Sequence, residues 1–231
     1  MPPTRFTKPA RQTSVFINCP FDRAYRPMLR AMCFAVMACG YTPRCAFDAL
    51  DSGASRFEKI LDLLCACDFA IHDISRGKPD EDSGLPRFNM SLELGADLGL
   101  RRRGGKAHAH RLSLVLDSAE HRYDQTLSDL SGSDISVHGG TPTGVIKAVR
   151  DWLSDNRPNR TDTLPGARAL ISDHELFVDL GAFITSQRHR RLDPFEELTH
   201  ADFLSVAREA LWLISFSDRG SGSERFSTQS R

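Results

Sequence analysis

The chain has 231 residues, of which 40% are hydrophobic and 26% charged. Those values suit one good-sized core or a domain with an appendage, and exclude the disordered, collagenous and membrane-embedded classes. Lys+Arg and Asp+Glu both number 30, so a net charge of zero excludes a protein that holds duplex nucleic acid mainly through its charge.

The first twelve residues carry Arg5, Lys8 and Arg11 with three prolines and no apolar run, which predicts a flexible N-terminus (1–13) that is neither signal peptide nor membrane anchor. Ser14–Asn18 reads as a short apolar strand that ends at a Cys-Pro turn. Pro27–Cys39 reads as a helix, with proline in its first turn and Gly40 at its C-terminal cap. It is too short to span a bilayer. Tyr41–Phe47 is a weaker strand. Ser55–Cys67 predicts an amphipathic helix with Phe57, Ile60, Leu61, Leu64 and Cys65 inward. Phe69–Ile74 is a third strand, followed by a polar loop over 75–86 and a helix over Asn89–Leu100. A strand over His110–Leu116, a short helix over Asp124–Leu130, a strand over Ile135–His138 and an amphipathic helix over Thr141–Ser154 complete the series, the last with Val145, Ile146, Val149, Trp152 and Leu153 inward.

Five strands alternating with helices predict βαβ crossovers and a flavodoxin-like, mostly parallel sheet of order 2-1-3-4-5 over residues 14–155. Such a sheet binds ligands beyond the carboxyl ends of its strands. A linker follows at 156–166, then a helical hairpin over 167–215, built from helices at about 167–187 and 193–214. A Ser/Arg/Gly-rich tail over 216–231 reads as disordered. The six cysteines all lie within the first 67 residues. Without a secretion signal they are expected to stay reduced in a bacterial-type cytoplasm. Their spacing fits core packing rather than a metal site; Cys19, at the predicted ligand edge, is the one candidate reactive thiol. No metal or cofactor is expected, and no G-x-S-x-G elbow supports Ser-His-Asp catalysis.

The predicted ligand edge gathers Asn18-Cys19-Pro20-Phe21-Asp22 after the first strand, Asp73-Ile74-Ser75-Arg76 after the third and Asp117 after the fourth. Arg87 and Asn89 open the next helix, which carries Glu93. Asn89 and Glu93 are four apart and share a helix face. Glu93 sits among Met90, Leu92 and Leu94, and a carboxylate on a buried face is costly unless it is paired or used. The plainer reading has Asn89 capping the helix and Glu93 paired with an arginine such as Arg87. His72, inside a strand, reads as a satisfied core histidine. Arg101 to Lys106 reads as a basic run complementing a helix C-terminus.

On Cys19-Pro20-Phe21-Asp22, His72-Asp73-Ile74-Ser75 and Asn89-x-x-x-Glu93-Leu94-Gly95, residues 14–117 resemble the superfamily of nucleoside 2-deoxyribosyltransferases and TIR-like nucleotide-processing domains. They resemble more narrowly an uncharacterised bacterial nucleotide-binding group that shares the FINCPFD and LPRFNMxLELG segments. Asn18-Cys19 stands where the transferases carry a small residue and glycine. The resemblance implies N-glycosidic chemistry on NAD or a nucleoside, with Glu93 as nucleophile or oxocarbenium-stabilising carboxylate. By the same likeness Asp73 would hold a ribose hydroxyl or the base, Asn89 would orient Glu93 or the sugar, and Pro20-Phe21 would wall the base. It also implies a role in bacterial defence or stress. Asn18, Asp22, Ser75, Arg87 and Asp117 are the further ligand-binding candidates. The rival expectation is a non-catalytic nucleotide sensor whose C-terminal helices form a homodimer or contact a partner. Both readings expect a small nucleotide or nucleoside partner, and neither expects a membrane or nucleic acid.

Overall fold

A computed structural model describes residues 13–48, 53–77, 84, 87–158, 163–187, 195–196 and 198–222, with the backbone alone over 181–187 and 215–222. The expected N-terminal segment 1–12, most of the loop over 75–86 and the Asp193-Pro194 helix start lie outside the described residues. Two compact units divide at Leu164/Pro165, inside the stretch of linker composition.

The first unit is an α/β domain around one five-stranded sheet. Its strands are β1 (Ser14–Asn18), β2 (Thr42–Arg44), β3 (Phe69–Asp73), β4 (Leu112–Asp117) and β5 (Ser136–Val137). Their order is β2-β1-β3-β4-β5 and every pair is parallel, as the alternation of strands and helices predicts. β1 and β3 are buried at every residue, as parallel strands covered on both faces must be. The helices are α1 (Arg26–Ala38), α2 (Arg56–Cys65), α3 (Asn89–Arg103) and α4 (Pro142–Asn156). α1 ends at Gly40, whose φ of 83° is the left-handed turn glycine adopts without a Cβ clash. α4 is capped by Thr141, whose hydroxyl accepts the Gly144 N–H at 3.1 Å.

Alternation along β3 places the helices. Ala70 packs with Phe16 and with Ile60, Leu63 and Leu64 of α2, while the Phe69 ring meets Trp152 of α4 edge-on at 5.8 Å. Neighbouring strand residues face opposite ways, so α2 covers one face and α4 the other. α1 packs against α4, and α2 against α3.

Several expected boundaries shift. In α2 the inward residues are Ile60, Leu63 and Leu64, while Phe57 is 38% exposed and Cys65 is also exposed; the helix is turned relative to its expected apolar stripe. The helix expected over Asp124–Leu130 is two 3-10 turns, Tyr123–Gln125 and Ser128–Leu130.

The second unit holds α5 (Ala167–Gln187) and α6 (His200–Gly222). Phe177 stacks on Phe195 at 4.8 Å, and Phe203 meets both rings edge-on. α6 begins seven residues later than the expected start at 193. There Thr199 accepts the Asp202 N–H at 3.2 Å and donates to its carboxylate at 2.7 Å, which caps the start of the helix. The helix continues to Gly222, so residues 216–222 are helical rather than part of a disordered tail. No helix among the described residues is long and apolar enough to cross a membrane.

Candidate functional site

The carboxyl ends of β1, β3 and β4 and the start of α3 meet at one sheet edge. Residues at this edge approach it from opposite faces of the sheet. Along β3, His72 points with Ala70 toward α2 and α3, and Asp73 points with Phe69 toward α1 and α4.

Asp73 is fully buried and ringed by donors. Oδ2 accepts the Tyr25 hydroxyl and lies 3.0 Å from His138 Nε2. Oδ1 accepts the Ser75 N–H at 2.8 Å. His138 Nδ1 accepts the Gly140 N–H at 2.9 Å, which assigns the ring proton to Nε2, facing Asp73 but off the line of a straight hydrogen bond. Burial alone would raise the Asp73 pKa, but His138, Ser75 and Tyr25 outweigh it and hold the carboxyl below its ordinary value. Burial and the Asp73 charge push the Tyr25 phenol far up, so it stays a hydrogen-bond donor.

Glu93 has the opposite environment. It is 6% exposed, and among the described residues no hydrogen bond or ion pair reaches its carboxylate. Burial pushes its pKa up to about 7 against the pull of the Arg56 charge. Arg56, the first residue of α2, lies over the Phe21 ring at 5.9 Å, and Phe21 meets Phe47 edge-on at 4.7 Å. Cys19 lies within the fields of both carboxylates. It is 1% exposed, and burial, then Asp73, raises its thiol pKa well above normal, so it is not the reactive thiol that its position suggested.

The plainer reading of α3 is also corrected. Arg87 pairs with Asp22 at 3.2 Å rather than with Glu93, and Arg76 reaches Asp22 from 3.5 Å. Asp22 itself accepts the Tyr25 N–H at 3.0 Å. Asn89 is exposed at the first position of α3, and the cap position is Phe88, with no side-chain cap bond. Pro20 is buried at the end of the β1 turn.

A buried polar chain runs beneath the edge. Asn18 Nδ2 donates to the Met90 carbonyl at 2.8 Å and to His72 Nδ1 at 3.0 Å. His72 Nε2 donates to Asp97 Oδ2 at 3.1 Å, so His72 is the satisfied core histidine expected. Asp97 also accepts Ser113 Oγ and two bonds from Arg111. Arg111, 1% exposed, ends on the carbonyls of Leu64 and Cys67 at the close of α2. Burial would raise the Asp97 pKa, but His72, Arg111 and Ser113 hold it down at about 2. Asp117 ends β4 fully buried. Its Oδ1 accepts Arg122 Nε at 2.8 Å and the Ser118 N–H at 2.6 Å, while Oδ2 has no partner. Arg122 also donates to the Ile74 and Ser75 carbonyls at 3.1 and 2.5 Å.

Tyr25, His138, Asp97, Arg111, Arg56 and Arg122 escaped the sequence reading. Only Asp97 carried a signal: it sits one helical turn after Glu93, on the same buried face. Separately, a groove of about 870 Å³ runs between β5 and α4, lined in part by Asp134, His138, Lys147 and Trp152.

Fold and site together define an α/β domain with two differently tuned carboxylates at the carboxyl edge of a parallel sheet. Among known proteins, no family model, no curated protein and no solved structure matches the chain, so the reading below rests on the chemistry of the site.

Proposed function

We propose that the α/β domain binds a small nucleotide or nucleoside, with NAD among the candidates, at this edge and cleaves or transfers its N-glycosidic bond. The observation that carries the reading is Glu93, a buried carboxyl with no hydrogen bond or ion pair among the described residues, in the field of the Arg56 guanidinium that lies over the Phe21 ring. As the C1′–N bond breaks, its electron pair leaves with the base and positive charge develops on the sugar. A fixed carboxylate stabilises that charge whether or not it bonds to C1′. Water or a second base then supplies the new bond to C1′, and the proton goes to the departing base or to solvent. Phe21 and Phe47 supply rings on which a base can stack. Asp73 acts behind them, holding Tyr25 and the His138 turn in place.

The test is to incubate the full chain with NAD and a panel of nucleosides and nucleotides, and to follow base release beside Glu93→Gln. The reading expects release by the wild type, rising as pH rises through about 7, and none by the variant. Equal inertness of both proteins, with a nucleotide still raising the melting temperature, would leave the sensor reading in its place.

That second reading is favoured by the helical unit. Leu176 and Leu180 on α5 and Val206, Trp212 and Leu213 on α6 are all 40% or more exposed, and an apolar face of this kind marks interaction surfaces. In this reading the two helices form a homodimer or engage a partner. The full chain should then have the mass of two chains in solution and the chain lacking residues 166–231 the mass of one; a full chain with the mass of a monomer removes the dimer.

A further inference from the structure

We propose that the buried chain Asn18–His72–Asp97–Arg111 is a positioning device for Glu93, with Asn18 and His72 as positioning residues for the reaction proposed above, on which this inference rests. Met90, Glu93 and Asp97 lie within about 60° of one another around α3, on successive turns of one face. The polar chain grips this face on either side of Glu93. Asn18, at the end of β1, fastens the Met90 carbonyl in the first turn, and His72, Arg111 and Ser113 fasten Asp97 one turn beyond Glu93. His72 closes the circuit, because its Nδ1 takes Asn18 and its Nε2 takes Asp97. Three strands thereby fix the height and rotation of the helix turn that carries the reactive carboxyl, which has no hydrogen bond of its own among the described residues.

Adhesion of α3 does not require this chain. Leu94 already packs with Ile74 and Tyr123, and exchanging a buried ionic cluster for apolar residues of similar volume is often neutral or stabilising. What the polar chain adds over an apolar contact is direction. Each bond fixes a donor against an acceptor at one angle, whereas apolar packing tolerates small slides.

The experiment uses the full chain as wild type, Asn18→Ala, His72→Leu and His72→Gln. It measures base release together with a carbon-13 NMR titration of the Glu93 carboxyl. Glutamine places an oxygen and an N–H where the two ring nitrogens stand, so His72→Gln is the conservative rescue. Asn18→Ala and His72→Leu should lower kcat by about 100-fold with KM little changed, the scale of an ångström-sized misplacement. In both, the Glu93 midpoint should move from about 7 toward 4.5 as water reaches the loosened turn. His72→Gln should restore rate and midpoint. Should His72→Leu fail to fold, Asn18→Ala decides, since it deletes a side chain whose Oδ1 already lacks a partner. Cooperative folding of Asn18→Ala with unchanged kcat and midpoint overturns the proposal. If the wild type releases no base at all, the N-glycosidic reading fails, and the titration midpoints still decide whether the chain positions Glu93.

Discussion

Glu93→Gln gives the sharpest separation of a working carboxyl from a structural one, because the two readings predict opposite signs. Burial raises the Glu93 pKa from 4.5 to about 7. The folded protein therefore holds a proton that the unfolded chain releases throughout that window. Stability linked to this group is fully present below 4.5 and is lost as pH rises to about 7. At about 1.4 kcal/mol per tenfold change in proton affinity, the full loss approaches roughly 3 kcal/mol, and partial solvent screening trims it to about 2 kcal/mol. Glutamine is neutral at every pH and fills the same space. Glu93→Gln should therefore be more stable than wild type at pH 8, by about 2 kcal/mol, or roughly 4–8 °C in Tm for a chain of this size. The gain should shrink to a few tenths of a kcal/mol near the ordinary pKa of the group. Paired thermal melts at pH 8 and pH 5 measure it. Equal melting at pH 8, a less stable variant, or an offset that ignores pH would each refute the burial argument. Loss of base release alongside a gain in stability is the stability–activity trade-off expected of a functional carboxyl.

Asp97→Asn should destabilise by about 3–5 kcal/mol in urea titrations, because it leaves the Arg111 charge buried without its counter-charge. The Asp97 carboxyl is held down at about 2, so its contribution is present above 3.8 and is lost as pH falls through that window. Acid unfolding should accordingly be shallower in the variant below pH 3.8. Gly144→Ala should lower Tm markedly, because a Cβ there would meet the His138 carbonyl oxygen at 2.0 Å and displace the turn that faces Asp73. Thr141→Ala should cost only about 1 kcal/mol, a lost helix cap. A thiol reagent should label one cysteine rapidly in the native protein, Cys65, and all six after denaturation, since the other five are buried. Rapid modification of Cys19 in the folded chain would contradict its placement.

The sheet was legible because its signal is local. Ser14–Asn18 and Phe69–Asp73 are short runs, apolar over 15–17 and 69–71 and separated by helical periods, and parallel pairing follows from the helices between them. Glu93 was legible for the same reason: Met90 and Leu94 beside it on α3 mark a buried face, although the third apolar neighbour, Leu92, is 57% exposed. Partnerships across the fold were not. Tyr25 meets Asp73 across 48 residues and Arg111 meets Leu64 across 47, separations at which no periodicity carries information. Arg111 looked like a charge at a strand margin, and nothing in its neighbours announced that it lies almost wholly buried. Phe57 and Cys65 were misplaced because α2 offers two overlapping apolar stripes, and packing against Phe16 and Ala70 selected the one through Leu63.

The site depends on Asp73 and Glu93 being kept unlike. Both are buried carboxyls at one edge, and both act on Cys19, so they share a field. Left alone, burial would push both carboxyls up alike, and nothing would set their roles apart. The chain resolves this by giving all the donors to one of them. Asp73, at a strand end, is within reach of the N–H of its own turn, a phenol from the start of α1 and an imidazole from the turn before α4, so its charge is held in place locally. Glu93, mid-face on a helix whose own amides are already bonded, can receive none of these, and its environment pushes the charge off. Environments that drive two carboxyls apart in this way are how one site holds an ionised group and a proton-exchanging group at neutral pH. The asymmetry follows from where each residue sits in the topology. Strand ends in a parallel sheet collect donors from the loops around them, and a helix face collects only what the sheet beneath it sends up, which here is the polar chain from Asn18 to Arg111.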